Sequence, residues 1–383
     1  MKKIAIVTAT RAEYGILTPL IRKVNDDKEL ELDLIVTGTH LSKKYGDTVS
    51  FIEEDGFPIA RLIPIMEEGN TPYDISLIMA NAIKGFAKYF QEDRPDMVII
   101  LGDRTEMLGI ACAAMNERIP IAHLHGGEVT RGAVDDCVRH ALTKMSYLHF
   151  TSAEEYRKRV IQLGEDPDRV FNVGSLGTEN ILHVPLLDEE QIRELTGIPK
   201  GIPYSVVTFH PVTLEKDTAE VQTRELCKAM DKRQDLFFLI TMANADSGGD
   251  VVNSIIDEFA RTHKNAKFVA NLGLVGYLSA VRRAKFVLGN SSSGIIEAPV
   301  IGTPTVNIGD RQQGRLMADT VVCCEPRSDA IENAMIIAEK MEHCPSYLYG
   351  DGKTSDKIIE IIKNILQDEM ELKKVFYDLK TVD

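Results

Sequence analysis

The chain has 383 residues, 44% hydrophobic and 27% charged, a globular composition at a length that implies two domains and argues against extensive disorder. A formal charge of −14 excludes a general nucleic-acid or anionic-membrane surface, so an anionic ligand needs a local basic pocket. No apolar run reaches the roughly 18 residues of a membrane span, and Met1-Lys2-Lys3 leads directly into a strand pattern rather than a signal-peptide core, so the expected location is cytoplasmic.

Short apolar runs bounded by turn residues alternate with helix-like stretches, the pattern of parallel βαβ units. In the first half, strands are expected at residues 4–8, 32–37, 97–101, 119–123, 149–151 and 170–173, with helices at 15–25 and 73–90. Several of these runs are almost wholly apolar, as strands covered on both faces must be. Residues 182–203 turn polar, with Pro185, Pro199 and Pro203 around an amphipathic 188–195, and read as the connection between domains. A second series of strands is expected at 205–208, 237–241, 266–269, 286–288, 305–308 and 320–323. The tail 355–368 is an amphipathic helix with Ile358, Ile359, Ile361, Ile362 and Ile365 on and beside one face. The expected organisation is a first Rossmann-like domain over 1–182, a second over 183–354, and a C-terminal helix within 355–383 that crosses back to the first.

In open α/β sheets ligands bind beyond the carboxyl ends of strands, so the residues just after each expected strand carry the chemistry. Thr8-Ala9-Thr10-Arg11-Ala12-Glu13-Tyr14-Gly15 puts one Arg ahead of a helix whose first amides can meet a phosphate. It has neither the Gly-x-Gly-x-x-Gly of a dinucleotide site nor the ending of a P-loop. Gly102-Asp103-Arg104-Thr105-Glu106 sets a carboxylate beside a guanidinium; Asp103 is either a base held ionised by Arg104 or the cap of the next helix. His123-Leu124-His125-Gly126-Gly127-Glu128, followed by Asp135-Asp136-Cys137-Val138-Arg139-His140, concentrates His, Glu and Asp in a spacing that matches no zinc or iron pattern, which favours acid–base work over metal binding. Six cysteines, none in a Cys-x-x-Cys pair, read as buried free thiols.

In the second half, Thr208-Phe209-His210-Pro211 places His210 at a strand end, where it can donate to a diphosphate. Asn271-Leu272-Gly273 can offer groups to a base. Gly289-Asn290-Ser291-Ser292-Ser293-Gly294-Ile295-Ile296-Glu297 is the strongest local signal: serines at a helix start can meet phosphate oxygens, and Glu297 can accept from two ribose hydroxyls. Plain N-capping by serine is the alternative. Arg311 in Asn307-Ile308-Gly309-Asp310-Arg311 adds a cation, so a nucleotide site is favoured.

The set Thr10–Gly15, Gly38-Thr39-His40-Leu41, Gly102-Asp103-Arg104, Gly126-Gly127-Glu128, Asp135-Asp136 with Arg139-His140-Ala141, and Asn290–Glu297 resembles the hydrolysing UDP-N-acetylglucosamine 2-epimerases, in the same order from near the N-terminus to about Arg315. The resemblance implies an α/β fold of the GT-B class, two Rossmann-like domains with the active site in the interdomain cleft, assembled as dimers or tetramers, with no nicotinamide and no catalytic metal. Carried over by motif, it implies that Arg11, His40, His210, Ser291, Ser292, Glu297 and Arg311 hold UDP and substrate, beside Asn271 and Gly273, while Asp103, Arg104, Glu128, Asp135 and Asp136 surround the sugar. Where relatives commonly have an acidic residue just ahead of the paired glycines, this chain has His125, a form shared with relatives that act on 2,4-diacetamido-2,4,6-trideoxy sugars.

The activity implied converts a UDP-2-acetamido sugar, UDP-N-acetylglucosamine or its 2,4-diacetamido-2,4,6-trideoxy analogue, to UDP and the free 2-epimeric sugar of the N-acetylmannosamine type, for sialic or legionaminic acid biosynthesis. A base removes the C2 proton, UDP leaves C1, and water adds across the resulting glycal. Asp103, His125, Glu128 and Asp135 are the acid–base candidates; Arg11, His210 and Arg311 stabilise charge. A glycosyltransferase of the same fold, and a nucleotide-sugar sensor disabled at His125, are the rival readings.

Overall fold

Parallel strands need crossover helices, and the alternation in the sequence supplies one after almost every strand. The computed structural model describes residues 1–43, 47–69, 71–129, 134–211, 218–243, 249–270, 272–368 and 370–379. It divides into two compact units, unit 1 from Met1–Asn180 with Gly350–Asp383, and unit 2 from Ile181–Tyr349.

Unit 1 runs β1 (Lys2–Thr8), α1 (Arg11–Asp26), β2 (Leu30–Thr37), α2 (Val49–Glu54), β3 (Ile59–Ile63), α3 (Pro72–Glu92), β4 (Met97–Leu101), α4 (Thr105–Asn116), β5 (Ile121–Leu124), α5 (Val134–Met145), β6 (Leu148–Thr151), α6 (Glu154–Gln162), β7 (Val170–Asn172) and α7 (Leu176–His183), the last passing the unit boundary. Its seven strands lie in the order β3-β2-β1-β4-β5-β6-β7, all parallel. The order reverses between β1 and β4, so the segments after these two strands open at the switch point where α/β sheets bind ligands. One face of the sheet packs α1, whose Leu17, Leu20, Ile21 and Val24 recur at helical spacing; the other packs α3 and α4 through Phe86, Phe90, Met107 and Ile110.

Unit 2 runs α8 (Glu189–Thr196), β8 (Tyr204–Thr208), α9 (Ala219–Asp231), β9 (Phe237–Thr241), α10 (Gly249–Thr262), β10 (Ala266–Val269), α11 (Gly273–Arg283), β11 (Val287–Gly289), α12 (Glu297–Ile301), β12 (Thr305–Ile308), β13 (Val321–Cys324) and α13 (Ser328–Glu339). The order β10-β9-β8-β11-β12-β13, again parallel, repeats the topology of unit 1 with its own switch point between β8 and β11. The polar stretch 182–203 carries α8, closed by an Asp188–Gln191 capping box and by Gly197 at φ 72, and its Ile192 is buried in the core of unit 2 with Ile198. Gly289 has φ 139, and a Cβ there would strike the Thr208 carbonyl, so only glycine lets β11 end this close to β8.

The last helix, α14 (Thr354–Gln367), belongs to unit 1 and lays Ile358, Ile359, Ile362 and Leu366 into the same core as α1. Lys23 pairs with Asp356 at 2.6 Å, and Lys363 with Asp27 and Glu29 at 3.1 and 2.7 Å. Among the described residues no helix is long and apolar enough to cross a membrane.

Candidate active site

In unit 1 the chain leaves β4 through Gly102, at φ 77, and the next residue carries the carboxylate of Asp103. His123, buried in β5, steadies this turn: its Nε2 lies 2.7 Å from the Gly102 carbonyl, and burial drives its pKa down to about 3, so the neutral ring donates there. The helix that follows starts at Thr105 with Arg104 at its cap position, so Asp103 is not the cap. Nor is its partner Arg104, whose Nε donates instead to Glu106 at 2.6 Å. The cation on Asp103 is Arg139, only 4% exposed, which also donates to Asp136 Oδ1 at 2.8 Å and to the Glu128 carbonyl at 2.9 Å. Arg139 reaches them because Asp136 lies one turn before it on α5.

Burial raises the proton affinity of Asp103, and the Arg139 guanidinium opposes it; the net shift is upward. The expectation of a carboxylate paired with Arg104 is therefore corrected on the partner, which is Arg139. Asp135, exposed on the first turn of α5, adds repulsion that raises Asp103 further.

After β5 the backbone takes a left-handed turn at His125, φ 63, an uncommon conformation for a side chain that is neither Gly nor Asn. The turn brings His125 Nδ1 to 3.4 Å from Glu128 Oε1, which also accepts from Ser152 Oγ at 2.8 Å. The buried Nε2 of His125 has no hydrogen-bond partner among the described residues. Glu13, Asp103, Arg104, His125, Glu128 and Arg139 converge on one cavity of about 200 Å³.

The other predicted residues of unit 1 lie at the neighbouring strand ends. Arg11, exposed at the start of α1, rests its guanidinium 4.3 Å from the centre of the Phe51 ring. His40 is fully buried, its nitrogens 3.0 Å from Thr8 Oγ1 and 2.8 Å from Thr48 Oγ1; burial pulls its pKa to about 4, making it a neutral bridge between β1 and the start of α2.

In unit 2, Asn290 ties the ends of β8 and β11 together: its side chain accepts from the His210 amide at 2.7 Å and donates to the His210 carbonyl at 2.8 Å. The Asn290 carbonyl in turn accepts from Arg311 at 3.2 Å and Gln312 at 2.9 Å. His210, Ser291 and Arg311 thus share one strand-end cluster. The serine run does not open a full helix as expected: Ser291 caps a three-residue 3-10 turn, Ser292–Gly294, and Glu297 is the first residue of α12. α12 is short because Gly302, at φ 90, ends it. Ser293 Oγ donates to Glu297, whose burial raises its proton affinity. Gly273 opens α11 at φ 65, and Asn271 lies outside the described residues.

Two charged residues of the cavity lining were not among the candidates, Glu13 and Arg139. Glu13 stands three residues after Thr10, the spacing of a capping box, and so reads as a helix cap; the sign that separates it is its side chain's contact one residue further upstream, to Ala9. Arg139 is the i+3 partner of Asp136, visible in sequence only as an ordinary helical ion pair. Among the described residues no cluster of three His, Cys, Asp or Glu side chains is placed to hold a metal ion.

The family profile of UDP-N-acetylglucosamine 2-epimerase matches residues 22–363. A Campylobacter jejuni protein named GDP/UDP-N,N'-diacetylbacillosamine 2-epimerase (hydrolyzing) is 41% identical over 85% of this chain and 84% of its own length. A Legionella pneumophila protein named UDP-N,N'-diacetylbacillosamine 2-epimerase (hydrolyzing) is 33% identical over 95% of this chain and 96% of its own. The Escherichia coli polysialic acid biosynthesis protein P7 is 36% identical over 99% and 98%. Among solved structures, the Neisseria meningitidis UDP-GlcNAc 2-epimerase bound to UDP-GlcNAc matches with a TM-score of 0.76 at 17% identity, covering 95% of this chain and all of the other. That is a likeness of fold, and it bears out the expected α/β class of GT-B type with two Rossmann-like domains. Two repeats of one strand order, polar side chains gathered at both switch points, and a match along nearly the whole chain agree: this chain belongs to the UDP-N-acetylglucosamine 2-epimerase family.

Proposed function

We propose that the chain is a hydrolysing 2-epimerase that converts a UDP-2-acetamido sugar to UDP and the free 2-epimeric sugar. The observation that carries this reading is the unit 1 cavity, where three proton-transfer groups, Asp103, His125 and Glu128, meet two guanidinium groups, Arg104 and Arg139. Elimination of UDP across C1 and C2 needs a base at C2, and hydration of the glycal needs a donor at C2 with a group that activates water at C1. Asp103 is the base: burial gives its carboxylate a proton affinity above that of a free aspartate, while Arg139 keeps it oriented. His125, with Nε2 unpartnered and Nδ1 beside Glu128, serves hydration together with Glu128; from α5, Asp135 acts electrostatically on Asp103 and Asp136 holds Arg139.

In unit 2, His210, Ser291, Ser292 and Arg311 take the diphosphate, Glu297 the ribose hydroxyls, and Asn271 and Gly273 the base. His40 supports the Arg11 loop from beneath. The sugar is the 2,4-diacetamido-2,4,6-trideoxy form, supported by the names of the Campylobacter and Legionella relatives and by His125 in place of the usual acid. The product is then of the kind that feeds legionaminic-type acids, and the enzyme works as a homo-oligomer in the cytoplasm.

The test is incubation without any acceptor of UDP-2,4-diacetamido-2,4,6-trideoxyglucose, of its GDP counterpart and of UDP-N-acetylglucosamine, with nucleotide release followed and the sugar identified. UDP with a free manno-configured diacetamido sugar is the expected result. Intact sugar nucleotide in all three reactions would overturn the reading, and release from UDP-N-acetylglucosamine alone would overturn the choice of sugar.

A further inference from the structure

Glu13 is 8% exposed and lines the unit 1 cavity, yet only one of its carboxyl oxygens is engaged. Oε2 accepts from the Ala9 amide at 3.1 Å, while Oε1 is buried with no hydrogen-bond partner among the described residues. A capping-box glutamate uses its oxygens on the cap residue's own amide, and a glutamine would do so equally well. Here Thr10 caps the Glu13 amide at 3.2 Å and its side chain also acts on the Glu13 carboxyl, which reaches on to the Ala9 amide, so that of the two oxygens of this cavity-lining residue Oε1 is the one left without a partner among the described residues. An ionised carboxylate half-used in this way carries a desolvation cost that its partners offset only in part; a protonated one does not.

The charged groups that face it are Arg104 and Glu106 at the start of α4, with Asp103, His125, Glu128 and Arg139 around the same cavity. Arg104 is committed to Glu106 at 2.6 Å, so the guanidinium that favours the ionised form of Glu13 is partly neutralised by the glutamate that opposes it. Because Oε2 already faces an N–H donor, the proton of the neutral acid sits on Oε1.

We propose that Glu13 is a further substrate-contacting residue of unit 1, a carboxylic acid whose Oε1–H donates a hydrogen bond to an oxygen of the sugar held in the cavity. It rests on the reading that this cavity takes the sugar. Burial, against the pull of Arg104, raises the pKa of Glu13 to about 7, so the donor form is present on the acid side of neutrality and lost on the alkaline side.

The experiment is the pH profile of kcat/KM for UDP release from UDP-2,4-diacetamido-2,4,6-trideoxyglucose by the wild type, Glu13→Gln and Glu13→Leu. The wild type is expected to lose about tenfold per pH unit well above pH 7, as one essential acid deprotonates. Glu13→Gln, which keeps an N–H donor at every pH, is expected to lack that alkaline limb, and Glu13→Leu to fall about tenfold or more at pH 6 while melting like the Gln variant. An activity-independent measurement is the proton uptake of the substrate-free protein between pH 8.5 and 5.5, expected to be about one proton smaller in Glu13→Gln. The same alkaline limb in Glu13→Gln as in the wild type, or a Leu variant as fast as the wild type at pH 6, would overturn the role of Glu13 alone. A wild type that releases no UDP at any pH, either from this substrate or from UDP-N-acetylglucosamine, overturns the functional reading itself, and the two failures are told apart by which protein fails.

Discussion

Arg139 decides how Asp103 behaves. It is buried, and it donates to Asp103, Asp136 and a backbone carbonyl, so it fixes the Asp103 carboxylate in place. Asp103→Asn keeps the shape and leaves the strand-end cluster of unit 2 untouched but cannot take a proton; UDP release is expected to drop by about 10²–10⁴ with UDP affinity, read by calorimetry, within twofold of the wild type. A variant releasing UDP at near wild-type rate would move the base to Glu128 or Asp135. Glu13 carries a second, thermodynamic expectation. Its folded pKa of about 7 lies above the 4.5 of an unperturbed glutamate, so the native state binds the proton more tightly than the unfolded chain. Stability from this group is present at low pH and is lost as pH rises to 7. Glu13→Gln should therefore stabilise the protein by about 3 kcal/mol at pH 8 and contribute nothing by this route at pH 4. Urea unfolding at the two pH values checks it, and an equal shift at both would show that the charge is not the cause. The residue types of the site were readable from the sequence, because strand ends of α/β sheets are where function sits; the partners were not. Neighbours in sequence, Asp103 and Arg104, turn to different partners because the strand ends at a left-handed glycine just before Asp103, while Arg104 is already the cap of the next helix.

At the level of elements, the apolar runs of the central strands were enough to place them: residues 97–101, 237–241, 266–269 and 305–308 coincide with β4, β9, β10 and β12. β3 was missed. Its Ile59–Ile63 is an edge strand with Arg61 and Leu62 facing outward, and an edge needs neither continuous hydrophobicity nor cover on both faces. The serine-rich turn was misread in form, since periodicity does not distinguish a single 3-10 turn from the first turn of a helix. α14 is the element whose packing is most open to measurement. Ile362 is fully buried against the α1 face, and Ile362→Ala should cost about 2–5 kcal/mol by loss of transfer energy and the cavity left behind. A change below 1 kcal/mol in chemical denaturation would mean that α14 adds little to the core of unit 1.

On the scale of the whole molecule, the two units differ in how the chain builds them. Unit 2 is continuous, with a complete six-stranded sheet and clusters on both of its faces around Phe238 and Leu239. Residues 181–349 expressed alone are therefore expected to fold, with a cooperative thermal transition, and to bind UDP. A molten fragment lacking near-ultraviolet dichroism would show that its core is incomplete. Unit 1 is interrupted, taking its last helix from beyond residue 350. On the ribosome this imposes an order of events. At about 5–20 residues per second, the core built by the first 180 residues waits roughly 10–30 s, while residues 181–349 are made, before the helix that completes it leaves the exit tunnel. The part of that core which takes Ile358, Ile359, Ile362 and Leu366 is thus a nascent-chain surface for that interval, a natural landing place for a chaperone, and a premature stop shortly before Thr354 would leave it uncovered for good.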